Sequence, residues 1–264
     1  MPRGGSFVAA DPGAARAELA RFYDLDMEGQ REDVELYLAL AGRGRLSILE
    51  LACGTGRVAI PLATAGHDVV GVDHDPAALE RGRRSGRPAK GRLDLVEADI
   101  TALDLRRRFD LVILGLNTLL MLGSRQAQAS ALESAARHLN DQGRLVIDVW
   151  LPSAHDLAAY DGRVELAWQK TDPDNGDQVS KLWSADYDAA TATATITTWF
   201  DSWPAAGGPV HRVSRRDEML LLGASQLTAM VEAVGVRVDR LAGDYSMVGF
   251  GPGSDRVILI GSLL

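Results

Sequence analysis

Between Leu46 and Trp150 the chain alternates strand-length apolar runs with helix-length segments, and this rhythm limits the fold more than any other feature. "LSILEL" (46–51), "DVVGVD" (68–73), "RLDLVEAD" (92–99), "FDLVILGL" (109–116) and "RLVIDVW" (144–150) read as five strands. Several are apolar without alternation, as expected when both faces of a sheet are covered. Between them lie "RVAIPLATAG", closed by Gly66, then "PAALERGRRSG", and the long "SRQAQASALESAARHLNDQG", which the sequence predicts as a helix ending at Gly143. Such alternation produces a doubly wound, mainly parallel α/β sheet, whose ligands bind at the carboxyl ends of the strands. Upstream, Val34, Tyr37, Leu38 and Ala41 recur at helical spacing in "REDVELYLALAG".

After Trp150 the rhythm changes. "GRVELAWQK", "DQVSKLWSADY", "TATATITTWFDSW" and "PVHRVSRR" are β-rich, and Asn175-Gly176 is a hairpin signal between the first two. An antiparallel insertion is therefore expected over about 160–217. A helix in "SQLTAMVEAVG" (225–235) then leads to a closing strand pair, giving seven strands with the last antiparallel. The implied organisation is a helical cap over 1–45, a cofactor domain over 46–159 and 218–264, and a β lid over 160–217.

With 264 residues, 46% of them hydrophobic and 24% charged, the chain is large enough for one α/β domain with an elaboration. No apolar run approaches the ~20 residues of a membrane span, and the first twenty residues lack a signal peptide's apolar stretch. A single cysteine, Cys53, excludes an internal disulfide and any multi-cysteine zinc site. These features are those expected of a cytoplasmic protein without a metal. The net charge of −8 argues against nucleic acid as a partner, despite "RGRRSGRPAKGR" (81–92) and "RRR" (106–108). Both basic stretches lead into strands at their amino ends, away from the expected ligand edge, and read as solvated.

"ELACGTG" (50–56) supplies the chemistry. Gly54 and Gly56 fall between the first strand and its helix, where glycine permits a tight turn and close approach of a ligand to the main chain. Asp73 ends the second strand 19 positions after Gly54, suited to accept both hydroxyls of a ribose. Asp99 ends the third strand beside Ile100. Three loops on one sheet edge would then hold an adenosine. "GTGRVA" also fits the dinucleotide pattern G-x-G-x-x-A, so a nicotinamide oxidoreductase is the natural competitor. Against it, Glu50 precedes the loop, and the antiparallel insertion interrupts any second mononucleotide half.

Taken in order, "ELACGTG", "VVGVDHD" (69–75), "VEADI" (96–100), "FDLVILGLNTLL" (109–120) and "GRLVIDVW" (143–150) resemble the motifs of class I S-adenosylmethionine-dependent methyltransferases, a Rossmann-like family. With "FYDLDMEG" upstream and a lid after strand five, the chain is similar to small-molecule members related to the aminosugar N-methyltransferases and, more distantly, glycine N-methyltransferase. The resemblance implies S-adenosylmethionine as cofactor. It further implies that Glu50, Ala52, Cys53, Gly54 and Gly56 line the methionine and ribose, that Asp73 holds the ribose and that His74 lies against the adenine. Asp99 and Ile100 would contact the adenine edge, Leu116 would flank the methionyl tail, and Tyr23 matches a tyrosine that closes over the site. Many relatives carry a histidine where this chain has Met121, which removes that residue as a general base.

Methyl transfer from a sulfonium needs alignment and exclusion of water more than a nucleophilic side chain. The expected catalytic pair is accordingly Tyr23 and Asn117, orienting the acceptor by hydrogen bonds. Asp148 and Trp150 end strand five near the site, where either a substrate role or a purely structural one is open. Cys53 reads as a packed loop residue and His138 as a surface residue near a helix end. Four of the five tryptophans (168, 183, 199 and 203) fall in the insertion, as an acceptor pocket, a dimer face or, the favoured reading, the lid's own core. The acidic site edge, with Asp24, Asp26, Glu28, Asp73, Asp75 and Asp99, favours a neutral or cationic small-molecule acceptor such as an amine. Two other functions remain open: binding the cofactor without transfer, and using it as scaffold in another reaction.

Overall fold

A computed structural model describes residues 12–264 apart from Arg87 and Ala89. The first eleven residues of the expected cap, and two positions of the basic stretch at 81–92, lie outside the described residues.

The large sheet forms from β1 (Ser47–Leu51), β2 (Asp68–Asp73), β3 (Arg92–Glu97), β4 (Phe109–Leu114), β5 (Leu139–Trp150), β10 (Val236–Ala242) and β11 (Arg256–Leu263). Its order is β10-β11-β5-β4-β1-β2-β3. Only β11 runs antiparallel to its neighbours. Strand order reverses between β1 and β4, and at such a switch point the loops leaving the two strands separate into a crevice. On one face α2 (Glu32–Ala41) and α3 (Ala59–Ala65) cover Ile48, Val69, Leu111, Ile113 and Val146. The other face packs Leu49, Leu51, Val112, Leu114, Leu145 and Ile147 against α5 (Arg125–Arg137) and α7 (Ala224–Ala233). The continuous apolar runs thus reflect burial on both faces. Completing the connections are α4 (Pro76–Arg84), capped by the Asp75 carboxylate on the Ala77 N–H at 3.0 Å, and the short α6 (Ala154–Ala158).

The helix expected to end at Gly143 stops at Arg137, and β5 begins at Leu139. His138 makes the break. Its N–H closes the helix on the Ala135 carbonyl, while its own carbonyl accepts from Phe109 N at 2.7 Å and starts the pairing with β4. The imidazole is 3% exposed, with Nδ1 2.6 Å from the Ser134 carbonyl and Nε2 accepting from Leu105 N at 3.0 Å. The surface reading of His138 is therefore wrong: the ring is a buried fastener between helix and loop. Gly143 is needed for another reason, because a Cβ there would stand 2.8 Å from the Phe109 carbonyl oxygen.

The insertion folds as a second, antiparallel sheet in the order β6 (Glu165–Thr171), β7 (Gln178–Asp188), β8 (Thr193–Trp203), β9 (His211–Leu220). Its pairing register sorts residues between faces. Val179, Phe200 and Val213 share one face and pack on α1 (Pro12–Asp26) through Phe22 and Leu25. Further along that same face, Ala194 and Met219 join the core of the large sheet. Burying the fully enclosed Phe22, stacked on Phe200 at 5.1 Å, contributes roughly 1.5–3 kcal/mol. The four insertion tryptophans divide: Trp168 and Trp183 lie on this inner face, Trp199 and Trp203 on the opposite one. The expectation of a shared lid core fails for the second pair, since alternate residues of one strand cannot reach it.

Among the described residues no helix is long and apolar enough to cross a membrane.

Candidate active site

The loop after β1 carries positive φ at Ala52 (59°), Gly54 (56°) and Gly56 (81°). An alternation of left-handed residues curls the chain into a small concavity of backbone N–H groups. The loop is fixed by Cys53 N donating to the Val72 carbonyl at 2.9 Å and by Gly54 N donating to Asp73 Oδ2 at 2.7 Å. Asp73 also accepts Asp75 N on Oδ1 at 2.9 Å, so each oxygen keeps a lone pair free for a ribose hydroxyl. At Gly54 a Cβ would meet nothing within 4 Å, which leaves space directly beside this carboxylate. Cys53 is buried, and burial pushes its thiol well above the ordinary range, so it packs and does not attack.

Beyond Asp73, the exposed His74 has Nδ1 3.5 Å from Asp73 Oδ1. Asp99, expected at the end of the third strand, lies two residues past it because β3 stops at Glu97; it spends Oδ1 on Thr101 N (2.8 Å) and Thr101 Oγ1 (2.7 Å), which hold its carboxyl below the usual range. Ile100 is 7% exposed. These residues border the space beyond Gly54 on the β2–β3 side.

On the other side of the loop lies a buried polar cluster. Glu50, the penultimate residue of β1, is 7% exposed, and desolvation lifts its carboxyl to about 8 against the pull of nearby Arg57. Arg57 forms a close two-pronged pair with the buried Asp33 and hydrogen bonds the half-buried Tyr23, whose hydroxyl is raised chiefly by burial. Glu50 Oε2 and Arg57 Nε are both buried without a partner. One is an acceptor and the other a donor, and together they match a zwitterion carrying ammonium and carboxylate. The sequence reading found Tyr23 and Glu50 and missed Arg57 and Asp33. A signal existed: Asp33 occupies the same helical stripe as Val34, Tyr37 and Ala41, where a carboxylate requires a partner.

The loop after β4 holds Leu116 and Asn117 at φ 46° and 65°. Leu116 N donates to Asp148 Oδ2 at 3.3 Å. Asn117 Oδ1 accepts Trp150 N at 2.6 Å, and its own N–H donates to the Asp148 carbonyl at 3.0 Å. The Asn117 carboxamide oxygen is thus committed to tying β4 to β5, leaving only its NH2 to meet an acceptor. Asp148 is fully buried, paired closely with Arg256 and accepting the Tyr245 hydroxyl at 2.7 Å. It anchors the strand ends, with its carboxylate committed to Arg256, Tyr245 and Leu116 N.

The candidate residues therefore gather along one edge, in the order Asp99 and Ile100, Asp73 and His74, the 52–56 loop with Glu50 and Tyr23, then Leu116 and Asn117. Three of the six non-glycine residues with positive φ among the described residues (Ala52, Leu116 and Asn117) lie on this edge, where strain is commonly concentrated at functional sites. Three arginines of the first basic stretch are engaged with neighbouring groups. Arg81 pairs with Asp24 and Asp174, Arg83 donates to the Leu95 carbonyl, and Arg84 meets Glu80. Arg81 corrects the expectation in one respect: through Asp24, which accepts Thr55 Oγ1 at 2.6 Å, it reaches the glycine loop after β1 instead of pointing away from it.

A fold with this strand order and a ribose-ready acid after β2 defines the class. The sheet has the Rossmann-like methyltransferase fold, and residues 48–143 match the family described as "Methyltransferase domain". Among curated relatives, the chain is 32% identical over 121 residues to the cypemycin N-terminal methyltransferase of a Streptomyces species, a match covering 44% of this chain and about half (47%) of that protein. Among solved structures it is similar to an S-adenosylmethionine-dependent methyltransferase from Clostridium acetobutylicum (TM-score 0.77, 16% identity, covering 93% of this chain and 98% of that one). It is also similar to the sugar N-methyltransferase KedS8 from Streptoalloteichus (TM-score 0.68, 23% identity, covering 100% and 98%). The cofactor of the domain is S-adenosylmethionine, which sets the nicotinamide alternative aside.

Proposed function

We propose that the chain transfers a methyl group from S-adenosylmethionine to an amine nitrogen of a small molecule. The observation that carries this reading is the unpartnered pair Glu50 Oε2 and Arg57 Nε beside the glycine loop. It complements the amino-acid end of the cofactor, while Asp73 complements the ribose. His74, Asp99 and Ile100 would border the adenine, and Ala52, Cys53, Gly54 and Gly56 the sugar and tail. Leu116 would flank the methionyl chain, and Tyr23, fixed by Arg57, would close over it. When bound, the cofactor supplies a methyl group on a sulfonium, displaced in line by the acceptor's lone pair as the electron pair of the carbon–sulfur bond passes to sulfur.

The chain's own task is then to desolvate and align, the roles assigned to Tyr23 and to the free NH2 of Asn117. Nitrogen is favoured over oxygen because a neutral amine needs no base, and no histidine takes the place of Met121. The names of two similar proteins, the cypemycin N-terminal methyltransferase and the sugar N-methyltransferase KedS8, support the same choice. The second sheet, spanning the space above these loops from α1 to the core, is proposed as the lid over the acceptor. Its outer face, with Leu166, Leu182 and Trp199 in one row, is the surface on which self-association would be sought.

Calorimetric titration with S-adenosylmethionine, S-adenosylhomocysteine and NAD tests the pocket, with Asp73→Ala as control. Micromolar binding of the first two, lost in the variant, is expected; binding of NAD alone would overturn the assignment. Mass spectrometry of turnover with an amine panel and a phenol panel then separates nitrogen from oxygen transfer and both from mere binding.

A further inference from the structure

The inner face of the second sheet is apolar at both ends and changes character in its middle. One end packs Val179, Phe200 and Val213 on α1, and the other sends Ala194 and Met219 into the large core. Between them the register places Glu165, Trp183, Thr198 and Arg215 in one row across all four strands. Trp183 does not fill a core there. It meets Tyr160 edge to face, with ring centroids 6.1 Å apart and planes at 79°, and Tyr160 in turn lies 6.0 Å from Trp150. All three rings are only half-buried, unlike Phe22 and Phe200, and no hydrogen bond among the described residues ends on the Tyr160 hydroxyl.

The position of this corner is fixed by the site. Trp150 ends β5 and hangs from Asn117 by its backbone N–H, so the rings begin one hydrogen bond from the strained loop after β4. Charge around the corner has one sign available. Glu165 faces Trp183 across the strand pair, while the cations on this face are engaged, Lys181 with Asp26 at 2.5 Å and Arg215 with Asp217 at 2.7 Å.

Aromatic faces set at an angle, half-open to solvent and next to an unpaired carboxylate, attract organic cations. We infer that Trp150, Tyr160 and Trp183 form the acceptor seat and that the seat selects a cationic aliphatic amine. This deepens the amine reading above and rests on it. Such an amine arrives protonated, sheds its proton to water before transfer and regains charge as the methylated product. Each added methyl increases contact with the rings without removing charge, so the seat favours amines already carrying alkyl groups.

The test uses the full chain, free and loaded with S-adenosylhomocysteine, titrated with choline and with its neutral isostere 3,3-dimethylbutan-1-ol, followed by tryptophan fluorescence and calorimetry. Choline is expected to bind at least about tenfold more tightly than the isostere. Trp183→Leu and Tyr160→Leu, which keep apolar bulk and remove the π faces, should abolish that preference, and Tyr160→Phe should retain it. Unchanged S-adenosylhomocysteine affinity in all three variants shows that the fold and cofactor site persist. Equal affinities for the two probes, absence of choline binding by protein that binds S-adenosylhomocysteine normally, or a preference surviving in Trp183→Leu would each overturn the seat. Failure to bind S-adenosylhomocysteine at all would instead overturn the methyltransferase reading.

Discussion

Replacing Glu50 by Gln should stabilise the protein while weakening its hold on the cofactor. The carboxyl is 7% exposed and its folded value is about 8, against 4.5 for an ordinary glutamate, with desolvation as the leading cause. A raised value means that the folded state keeps a proton the unfolded chain releases, so stability is greatest below about pH 4.5 and declines as pH climbs to about 8. Each unit of pH in that window costs ~1.4 kcal/mol, which makes the penalty roughly 3 kcal/mol at pH 7. Glutamine keeps an oxygen for the Ala59 N–H that Glu50 accepts, and it cannot ionise. The advantage of Glu50→Gln should therefore be below ~1 kcal/mol at pH 5, near 3 at pH 7 and level beyond pH 8. For a chain of this size the pH 7 difference corresponds to roughly 6–12 °C in Tm. Calorimetric melting of both proteins without cofactor, from pH 5 to pH 9, measures it. A Tm difference independent of pH, or one shrinking as pH rises, would refute the argument. In the same variant, affinity for S-adenosylhomocysteine should fall at least about tenfold, the loss typical of one charge-assisted bond.

Asp148→Ala leaves Arg256 without its partner and should lower Tm by on the order of 10 °C, from a loss of about 3–5 kcal/mol. Gly82→Ala, favourable by helix propensity alone, should instead destabilise by about 1–3 kcal/mol in urea unfolding, since the new Cβ would stand 2.7 Å from the Thr55 carbonyl oxygen. Asn117→Gly keeps the left-handed turn and loses the bond to Trp150, so it should cost about 1 kcal/mol, with Asn117→Ala costing roughly another 1 through strain. Asp24→Ala removes the acceptor of both Thr55 and Arg81, and stopped-flow should show release of S-adenosylhomocysteine accelerated several-fold, with Tm moved by only a few degrees.

Where the sequence spoke clearly, one residue type had one physical use. Apolar runs bounded by glycine yielded the five parallel strands, and the acids at their ends lie on the edge where the candidate residues gather. The boundary between α5 and β5 escaped because Gly143 looks the same as a helix stop and as a point of close approach, and only the Phe109 carbonyl beside it decides. Strain on the edge was assigned to Gly54 and Gly56, yet Ala52, Leu116 and Asn117 also carry it. No local pattern marks alanine or leucine for that conformation. Arg57 and Asp33 are 24 positions apart, and their pairing depends on how α2 lies against the loop. The tryptophans of the insertion could be counted but not sorted, because a face is assigned only once the register is known.

The family match ends at Gly143, yet apart from Leu139 opposite Phe109 the pairing of β5 with its neighbours lies beyond it. Arg144 to Ile147 lie opposite Leu111 to Leu114 on one side, and Arg144 to Trp150 opposite Arg256 to Ser262 on the other. A fragment cut to the matched span would leave β4 with an unpaired apolar margin, a template for association between chains. It would also lack α1 and, with it, the acid that grips Thr55. The recognisable motif and the paired sheet are thus different objects: keeping every strand of the sheet paired requires the chain through Leu263, and keeping the acid on Thr55 requires α1.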